Sequence, residues 1–300
     1  MKIKNFSYTT PPGILLRLAC IMAAAALLSA CSVGQMVVRG SQTILDSGAD
    51  AMNRETDLQL AEAAIPANLK LIEGMLIEDP NNRTLLLFAA EGFYGFSYGF
   101  VELDDPARAA LLYRRCQDYA LRALALDGID IEPRATSEAA LQEALVGAGR
   151  GSAPALFWAA SCLAQEINLN RDKIASVAGL AGAAVLMQRV MELDDEFYHG
   201  GAYLFFGVYY GGRSPMFGGD FARAEQNFQR AAAINDNKLL MVDLLWAEFL
   251  HRQQLDRSAF HSRLVSIVDA PDDLYPEMAL VNAIAKQRAA RLLTLEDKWF

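Results

Sequence analysis

One serine lies in a setting that could support nucleophilic chemistry. Residues 95–99 read Gly-Phe-Ser-Tyr-Gly and match the G-x-S-x-G nucleophile elbow of hydrolases, which would make Ser97 the nucleophile. That elbow requires a strand before the serine and a helix after it. Residues 84–93 have helical periodicity instead, and Gly212 stands at the equivalent position 115 residues later. The pattern therefore favours small glycines that let helices approach closely over a hydrolase site.

Other residues that could bind phosphate or metal lack the necessary spacing. The glycine-rich loop 147–151 has neither a preceding strand nor the Lys-Ser/Thr ending of a phosphate loop, so we interpret it as a mobile connection. His199, His251 and His261 share no metal-ligand spacing, and the sequence contains neither Cys-x-x-Cys nor His-Glu-x-x-His. We expect no metal, no cofactor and no enzymatic activity.

The cysteines indicate a lipid anchor rather than a disulfide framework. Cys116 and Cys162 lie on apolar helical faces, where we expect buried free thiols. Cys31 ends the tetrapeptide Leu-Ser-Ala-Cys, which resembles the lipobox of bacterial lipoprotein signals. Residues 1–30 have a positively charged start and a short apolar run, as signal peptides do. We therefore expect residues 1–30 to be removed and Cys31 to become lipidated.

The residue after the lipidation site bears on localisation. By resemblance to the sorting rules of Gram-negative lipoproteins, Ser32 rather than aspartate favours the inner leaflet of the outer membrane. Acyl chains contribute about 0.8 kcal/mol per buried CH₂ to membrane attachment, so no protein span is needed. We expect a periplasmic protein that is held at the membrane by its lipid.

Two glycine-rich helices carry aromatic side chains on all sides. Such a helix is either wholly buried or lines a cavity between helices, and both interpretations fit the sequence. The glycines favour a cavity, because missing side chains beside large rings leave space. The loop at residues 211–219 would then form its mouth. The candidate cavity-lining residues are Phe93, Tyr94, Phe96 and Tyr98 in the first helix, Phe205, Phe206, Tyr209 and Tyr210 in the second, and Arg213, Met216 and Phe217 in the loop.

These helices belong to a chain whose apolar residues recur at helical spacing. No stretch alternates for long enough to be a strand, so we predict an all-α fold of irregular tetratricopeptide-like helical hairpins. A gapless match at an offset of 115 residues aligns Asp105 with Asp220 and predicts an internal duplication, with pseudo-repeats at about 57–126 and 172–239. Pro66 should kink or split the helix around it.

The chain is long enough for one large domain, since 53% of its 300 residues are hydrophobic. Residues 31–54 are polar and rich in small residues, which predicts a lipidated tether that becomes a first helix near Ile44 and lets the body stand off the bilayer. Residues 55–300 should form a single α-helical repeat domain. In its first hairpin, Asp105 should cap the return helix and Pro106 should occupy the first helical position.

The net charge argues against nucleic-acid binding. The chain has 27 Lys and Arg against 36 Asp and Glu, a formal net charge of −9. Loss of residues 1–30 would remove Lys2, Lys4 and Arg17, which leaves 24 basic residues and a net charge of −12. A surface this acidic repels phosphate backbones. We expect no nucleic-acid partner.

The order and spacing of several segments resemble the T-component family of TRAP transporters, whose members are periplasmic lipoproteins. The resemblance covers nearly all of the mature chain, although no single motif is diagnostic. A mild departure is Leu156-Phe157-Trp158, where the family has Leu-Tyr-Trp. The similar segments lie within residues 60–73, 79–82, 85–100, 112–124, 155–160, 218–228 and 282–300.

The resemblance implies cryptic tetratricopeptide repeats, a homotrimer, and a cleft or pore through each subunit. It also implies association with the periplasmic solute-binding protein of a TRAP transporter, and no enzymatic activity. We therefore expect a lipid-anchored accessory protein that docks this partner and offers an apolar channel to a small organic ligand. The alternative is a non-catalytic envelope scaffold, which would bind protein partners through its repeat surface and bind no small molecule.

Replacing the lipidation residue tests the predicted anchor. The variant Cys31→Ser has no thiol to accept a diacylglyceryl group, so we expect the protein to lose its acyl chains and leave the membrane fraction. Intact mass and cell fractionation measure the two effects. Cys20→Ser, within the signal peptide, should keep its lipid and serves as the control. An acylated, membrane-bound Cys31→Ser protein would contradict the assignment.

Overall fold

The computed structural model describes residues 33–170 and 179–300. Within these two ranges every regular element is helical, which confirms the predicted all-α fold. Cys31, Ser32 and the start of the second pseudo-repeat lie outside the described residues. The α-helices are α1 (Val33–Gly40), α2 (Gln42–Asn53), α3 (Leu58–Glu78), α4 (Arg83–Phe96), α5 (Pro106–Leu126), α6 (Glu138–Leu145), α7 (Ala153–Leu169), α8 (Leu180–Leu193), α9 (Phe197–Gly211), α10 (Phe221–Ile234), α11 (Leu240–Trp246), α12 (Arg257–Val268), α13 (Ala279–Leu293) and α14 (Glu296–Trp299).

Side-chain caps explain where two equivalent helices begin. Asp105 accepts a hydrogen bond from the Arg108 backbone N–H at 3.0 Å, and Pro106 opens α5, as predicted. Asp220, its partner in the 115-residue match, caps α10 by accepting from the Arg223 N–H at 3.0 Å. Each cap pairs a backbone donor that helix geometry leaves without an intrahelical acceptor. The two helices thus start with the same turn, while the duplication as a whole stays a prediction.

The segment that precedes α3 is helical and packed. Helix α1 begins well before Ile44, where the sequence predicted the first helix. Val38 is buried, and the Arg39 Nε donates to the Asp79 carboxylate at 2.9 Å at the end of α3. These contacts hold α1 against the body. The structure therefore corrects the expectation that residues 33–53 form a tether that lets the body stand off.

Helix α3 continues through its proline. It runs from Leu58 to Glu78 with Pro66 inside, so the predicted split does not occur. Proline removes one backbone donor from the helix. The neighbouring Ile65 and Leu69 are buried, and their packing against the core offsets that loss.

Among the described residues, one helical stretch is long and apolar enough to cross a membrane by length and composition. This stretch, Arg83–Val101, comprises α4 and the turn that follows it, and 56% of its most apolar window is buried inside the protein. It packs against α3, α5 and α7. Such burial is typical of the central helix of a folded domain.

A disulfide joins Cys116 of α5 to Cys162 of α7. The two Cα atoms are 6.0 Å apart, within the usual range of about 4.4–6.8 Å. Both residues are fully buried in the contact between α5 and α7. The expectation of two free thiols is therefore wrong. Periodicity correctly places each cysteine on an apolar face, but pairing depends on which faces meet, and that is a property of the tertiary structure.

A buried ion pair connects α13 to the turn after α4. Arg288 donates from Nη2 to Glu102 Oε1 at 2.9 Å and from Nη1 to the Tyr98 carbonyl at 2.7 Å. The Tyr113 hydroxyl donates to the second oxygen of Glu102 at 2.6 Å. The side chains of Arg288 and Glu102 are only 7% and 9% exposed. Since each buried charge has close partners, the cost of removing it from water is largely offset.

Removing one member of this pair should destabilise the fold strongly. In Arg288→Ala, Glu102 stays buried without its cation, and we expect the free energy of unfolding to fall by about 3–5 kcal/mol. Arg291→Ala in the same helix removes an exposed ion pair with Asp104 and an exposed hydrogen bond to the Leu103 carbonyl, and it should cost less than about 1 kcal/mol. Urea unfolding followed by circular dichroism measures both. Equal losses in the two variants would contradict the role given to the buried pair.

Candidate functional site

A cavity of about 380 Å³ lies between helices α4, α7, α9, α11 and α13. Its walls are mainly aromatic and aliphatic, and its volume lies in the range of roughly 300–1,000 Å³ found for small-molecule sites. Its lining includes Tyr94, Gly95 and Tyr98 from α4 and the turn after it; Phe157, Trp158, Ser161, Gln165 and Asn168 from α7; Tyr198, His199, Phe205, Val208 and Tyr209 from α9; Gly212 and Arg213 after α9; Met241 and Leu245 from α11; and Val281 and Ile284 from α13.

Helix α4 contributes two tyrosines to the wall. The rings of Tyr94 and Tyr98 are nearly parallel, with centroids 6.4 Å apart. The π-helical turn Ser97–Val101 continues α4 and carries Tyr98. A π turn is wider than an α turn and often occurs at functional positions. Here it places the Tyr98 ring in the cavity wall while the Tyr98 carbonyl accepts from Arg288.

Ser97 has no access to a substrate. Its side chain is fully buried, and its hydroxyl donates to the Phe93 carbonyl at 2.6 Å. It is preceded by helix α4 and not by a strand. The geometry therefore excludes the nucleophile elbow that the glycine spacing suggested. In the described ranges, no three His, Cys, Asp or Glu side chains are grouped so that they could hold a metal ion.

One end of the cavity is a cluster of aromatic rings. The Trp158 ring contacts those of Phe157, Tyr198 and Tyr94, with centroids 4.9, 4.8 and 5.3 Å away. Gly201 makes this packing feasible, because a Cβ at that position would lie 2.6 Å from the Phe157 ring. A larger residue there would push α9 away from α7. Close approach of these two helices thus forms the aromatic end.

The predicted helix at Tyr198 begins with an unusual backbone. Tyr198, His199 and Gly200 have φ angles of 48°, 59° and 74°, a left-handed conformation that residues with side chains rarely adopt. Side-chain hydrogen bonds support it, since Tyr198 bonds to Glu91, and His199 Nδ1 lies 3.1 Å from the Tyr275 hydroxyl. These contacts place the Tyr198 ring beside Trp158.

Burial controls the charge of the titratable groups at the aromatic end. It raises the pKa of the Glu91 carboxyl, and the hydrogen bond with Tyr198 opposes that shift only in part. Burial also lowers the pKa of the His199 imidazole. Each shift favours the neutral form of its group. The aromatic end therefore carries little charge.

The opposite end of the cavity is polar. Helices α7 and α9 make contact near their first residues, where the rings of Phe157 and Tyr198 meet. Residues near the last turns of both helices line the other end of the cavity, together with Leu180, the first residue of α8. There the Asn168 Nδ2 lies 3.5 Å from the Gln165 Oε1. Arg213 follows α9, and its Nε donates to the Tyr209 carbonyl at 2.9 Å. Its guanidinium carbon lies 3.9 Å from the centroid of the Tyr209 ring.

The sequence of the helical domain that contains this cavity matches a known family. A family model described as the TRAP transporter T-component matches residues 54–300. The chain belongs to the TRAP transporter T-component family. The match includes every residue that lines the cavity. A comparison with curated proteins found no match.

T-components are accessory components on the periplasmic side of TRAP transport, and the family is not known for enzymatic activity. The family thus agrees with the resemblance seen in the sequence. In this T-component the eleven residues predicted to line a cavity divide into three groups. Those in the cavity wall are Tyr94, Tyr98, Phe205, Tyr209 and Arg213. Phe206 and Tyr210, together with Tyr209, line a separate surface groove of about 400 Å³ between α6, α8 and α9.

The remaining four predicted residues lie elsewhere. Phe93 and Phe96 are buried in the core, where the Phe93 ring stacks on Tyr119 of α5 at a centroid distance of 5.9 Å. The helical rotation of about 100° per residue turns them away from the tyrosines of α4 that line the cavity. Met216 and Phe217 lie on a short turn and are 86% and 73% exposed. They are surface residues of the loop rather than part of the wall.

Sequence reasoning missed the polar face of α7. Ser161, Gln165 and Asn168 line the cavity from α7, a helix whose other residues are mostly apolar. Their spacing of four and three residues places them on one helical face. Polar side chains at this spacing in an otherwise apolar helix were the available signal.

Proposed function

We propose that this T-component binds an apolar or amphiphilic small molecule in the cavity and docks a periplasmic solute-binding protein. The observation that carries the ligand half of the proposal is the cavity itself, which lies between helices rich in aromatic residues and has few polar groups. Burial of apolar ligand surface against such walls contributes roughly 25 cal/mol per Å². Burial raises the pKa of Glu91 and lowers the pKa of His199, and both shifts favour the neutral forms, which suit an apolar molecule.

A glycine in the wall offers a way to fill the cavity without disturbing the fold. Gly95 lines the cavity, and a Cβ at this position would meet no atom within 4 Å. A leucine there would extend into the space that a ligand would occupy. The substitution would also remove a glycine from the interior of a helix. Removal of such a glycine by itself stabilises a helix by up to about 1 kcal/mol.

The variant Gly95→Leu should therefore bind less ligand while it stays folded. With the apolar fluorophore N-phenyl-1-naphthylamine as the probe, we expect affinity to fall about tenfold, or 1.4 kcal/mol. Fluorescence titration measures the affinity. Gly74→Leu is the matched control, because Gly74 is also helical, has nothing within 4 Å of a Cβ, and lies away from the cavity. Unchanged binding in Gly95→Leu would place the probe elsewhere and contradict the proposed site.

The loop at the polar end supports the docking half of the proposal. Met216 and Phe217 are the most exposed large hydrophobic side chains after α9, and they lie three and four residues after Arg213 on the loop that follows α9. Methionine and aromatic residues are enriched in the cores of protein interfaces. A solute-binding protein docked here would cover these side chains and lie next to the cavity. A lipid on Cys31 would keep the complex at the membrane, and Ser32 favours the outer one.

Substitution of the two exposed side chains tests the docking surface. In the double variant Met216→Ser with Phe217→Ser, loss of the apolar contact should weaken binding to the purified solute-binding protein of the same TRAP system at least tenfold. Surface plasmon resonance measures the affinity. Native mass spectrometry counts the chains in the complex, and the family resemblance implies three copies of the T-component. Ile77→Ser, at a site 78% exposed on α3, is the control. Absence of binding by the unaltered protein, together with an empty ligand titration, would favour the scaffold alternative.

A further inference from the structure

Arg213 is a cation in the wall of an apolar cavity. Its guanidinium is half-buried and stacked on the Tyr209 ring, which restrains the plane of the group. Its Nε is already used by the Tyr209 carbonyl. In the described part of the chain, no carboxylate lies within ion-pair distance of this guanidinium, and its two Nη atoms donate to no acceptor. The group is therefore oriented but has donors to offer.

Other arginines of this protein that lie against aromatic rings are arranged differently. Arg288 lies over Tyr98 at 3.8 Å and is also paired with Glu102. Arg263 lies over Trp246 at 3.9 Å and is also paired with Asp243. Arg213 combines a ring contact as close as these with a place in the cavity wall, and it lacks a carboxylate partner among the described residues. An anionic group from a ligand would complete its coordination.

Neutral hydrogen-bonding groups lie at the same end of the cavity. Gln165 and Asn168 line it from the last turns of α7. Amide groups of this kind can donate to a carboxylate or accept from a protonated group. The far end, around Trp158 and Tyr198, is lined mainly by aromatic rings, and burial there favours the neutral forms of Glu91 and His199. The cationic Arg213 belongs to the other end of the cavity.

We propose that the cavity holds a single-chain carboxylate amphiphile, with its carboxylate on Arg213 and its hydrocarbon tail directed toward Trp158. This rests on the proposed ligand-binding function and specifies its ligand class and orientation. A carboxylate is planar and can accept two parallel hydrogen bonds from a guanidinium. An alkyl chain fits the apolar remainder of the cavity. A cationic amphiphile would be repelled by Arg213, and a neutral one would leave its donors unpaired.

Three ten-carbon probes that differ only in the head group separate these cases. Decanoate, 1-decanol and decylamine would each be used to displace N-phenyl-1-naphthylamine from the unaltered protein. We expect decanoate to bind at least tenfold more tightly than 1-decanol, and decylamine to bind most weakly. Equal affinities for decanoate and 1-decanol would overturn the assignment of Arg213 but leave the cavity as an apolar site. If N-phenyl-1-naphthylamine does not bind and none of the three probes binds in direct calorimetry, the proposed ligand-binding function itself fails.

Variants of two ring-stacked arginines assign the effect to one side chain. Arg213→Gln should lose about tenfold or more in decanoate affinity and keep its affinity for 1-decanol, which also reports that the cavity is intact. Arg223→Gln is the matched control, because Arg223 lies 4.2 Å from the Tyr210 ring but is exposed and does not line the cavity. A similar loss in both variants, or in neither, would contradict the proposed contact.

Tryptophan fluorescence tests the orientation. Bromine quenches indole emission at short range, so 10-bromodecanoate should quench Trp158 strongly and 2-bromodecanoate should quench it weakly. The variant Trp158→Phe removes this signal and leaves the contribution of Trp246 and Trp299 as background, since neither lines the cavity. Stronger quenching by the 2-bromo compound would reverse the orientation and overturn the placement of the carboxylate on Arg213.

Discussion

The buried ion pair between Arg288 and Glu102 determines how the helices around the cavity are positioned. Arg288 and Glu102 lie 186 residues apart in the chain, so their contact joins the last long helix to the first aromatic one. The guanidinium carbon of Arg288 also lies 3.8 Å from the centroid of the Tyr98 ring. Burial raises the pKa of the Tyr98 hydroxyl, which therefore stays protonated and donates to the Met241 sulfur at 3.4 Å. The ion pair and the contacts of Tyr98 next to it thus connect three of the helices around the cavity.

The rest of the enclosure depends on aromatic packing at small residues. Gly201 lets the Phe157 ring approach α9, and Gly207 does the same for the Phe228 ring of α10. Large rings have few rotatable bonds, so a wall built from them keeps its shape at low entropic cost. The left-handed turn at Tyr198 adds one more ring at the cost of backbone strain. Such strain is typical of positions that serve a site rather than the stability of the fold.

The sequence was informative where local rules decide the outcome. Apolar periodicity predicted the helices, and the Asp105-Pro106 pair predicted the start of α5. The composition of the aromatic helices drew attention to Tyr94 and Tyr98, and both rings line the cavity in the structure. It could not tell them from Phe93, because the face that a helix turns toward a cavity depends on the helices packed against it.

The remaining features arise from contacts between distant parts of the chain. The Cys116 to Cys162 pairing follows from the packing of α5 on α7. The polar face of α7 was visible as a spacing, yet only the tertiary structure places it in the same cavity lining as Arg213. A π turn at Ser97 likewise has no local sequence signature beyond its glycine and aromatic residues.

The packed position of α1 has a consequence for motion at the membrane surface. Helix α1 begins at Val33, two residues after the proposed lipid attachment at Cys31, and Arg39 fastens it to α3. Two residues of chain span at most about 7 Å, so an anchored molecule would have little freedom to swing or rotate away from the headgroups. The exposed Met36 and Val37 would then face the lipid interface. As the protein diffuses laterally along the membrane surface, its cavity would keep a nearly constant height and tilt relative to the bilayer. This limits the orientations from which a partner can approach the cavity.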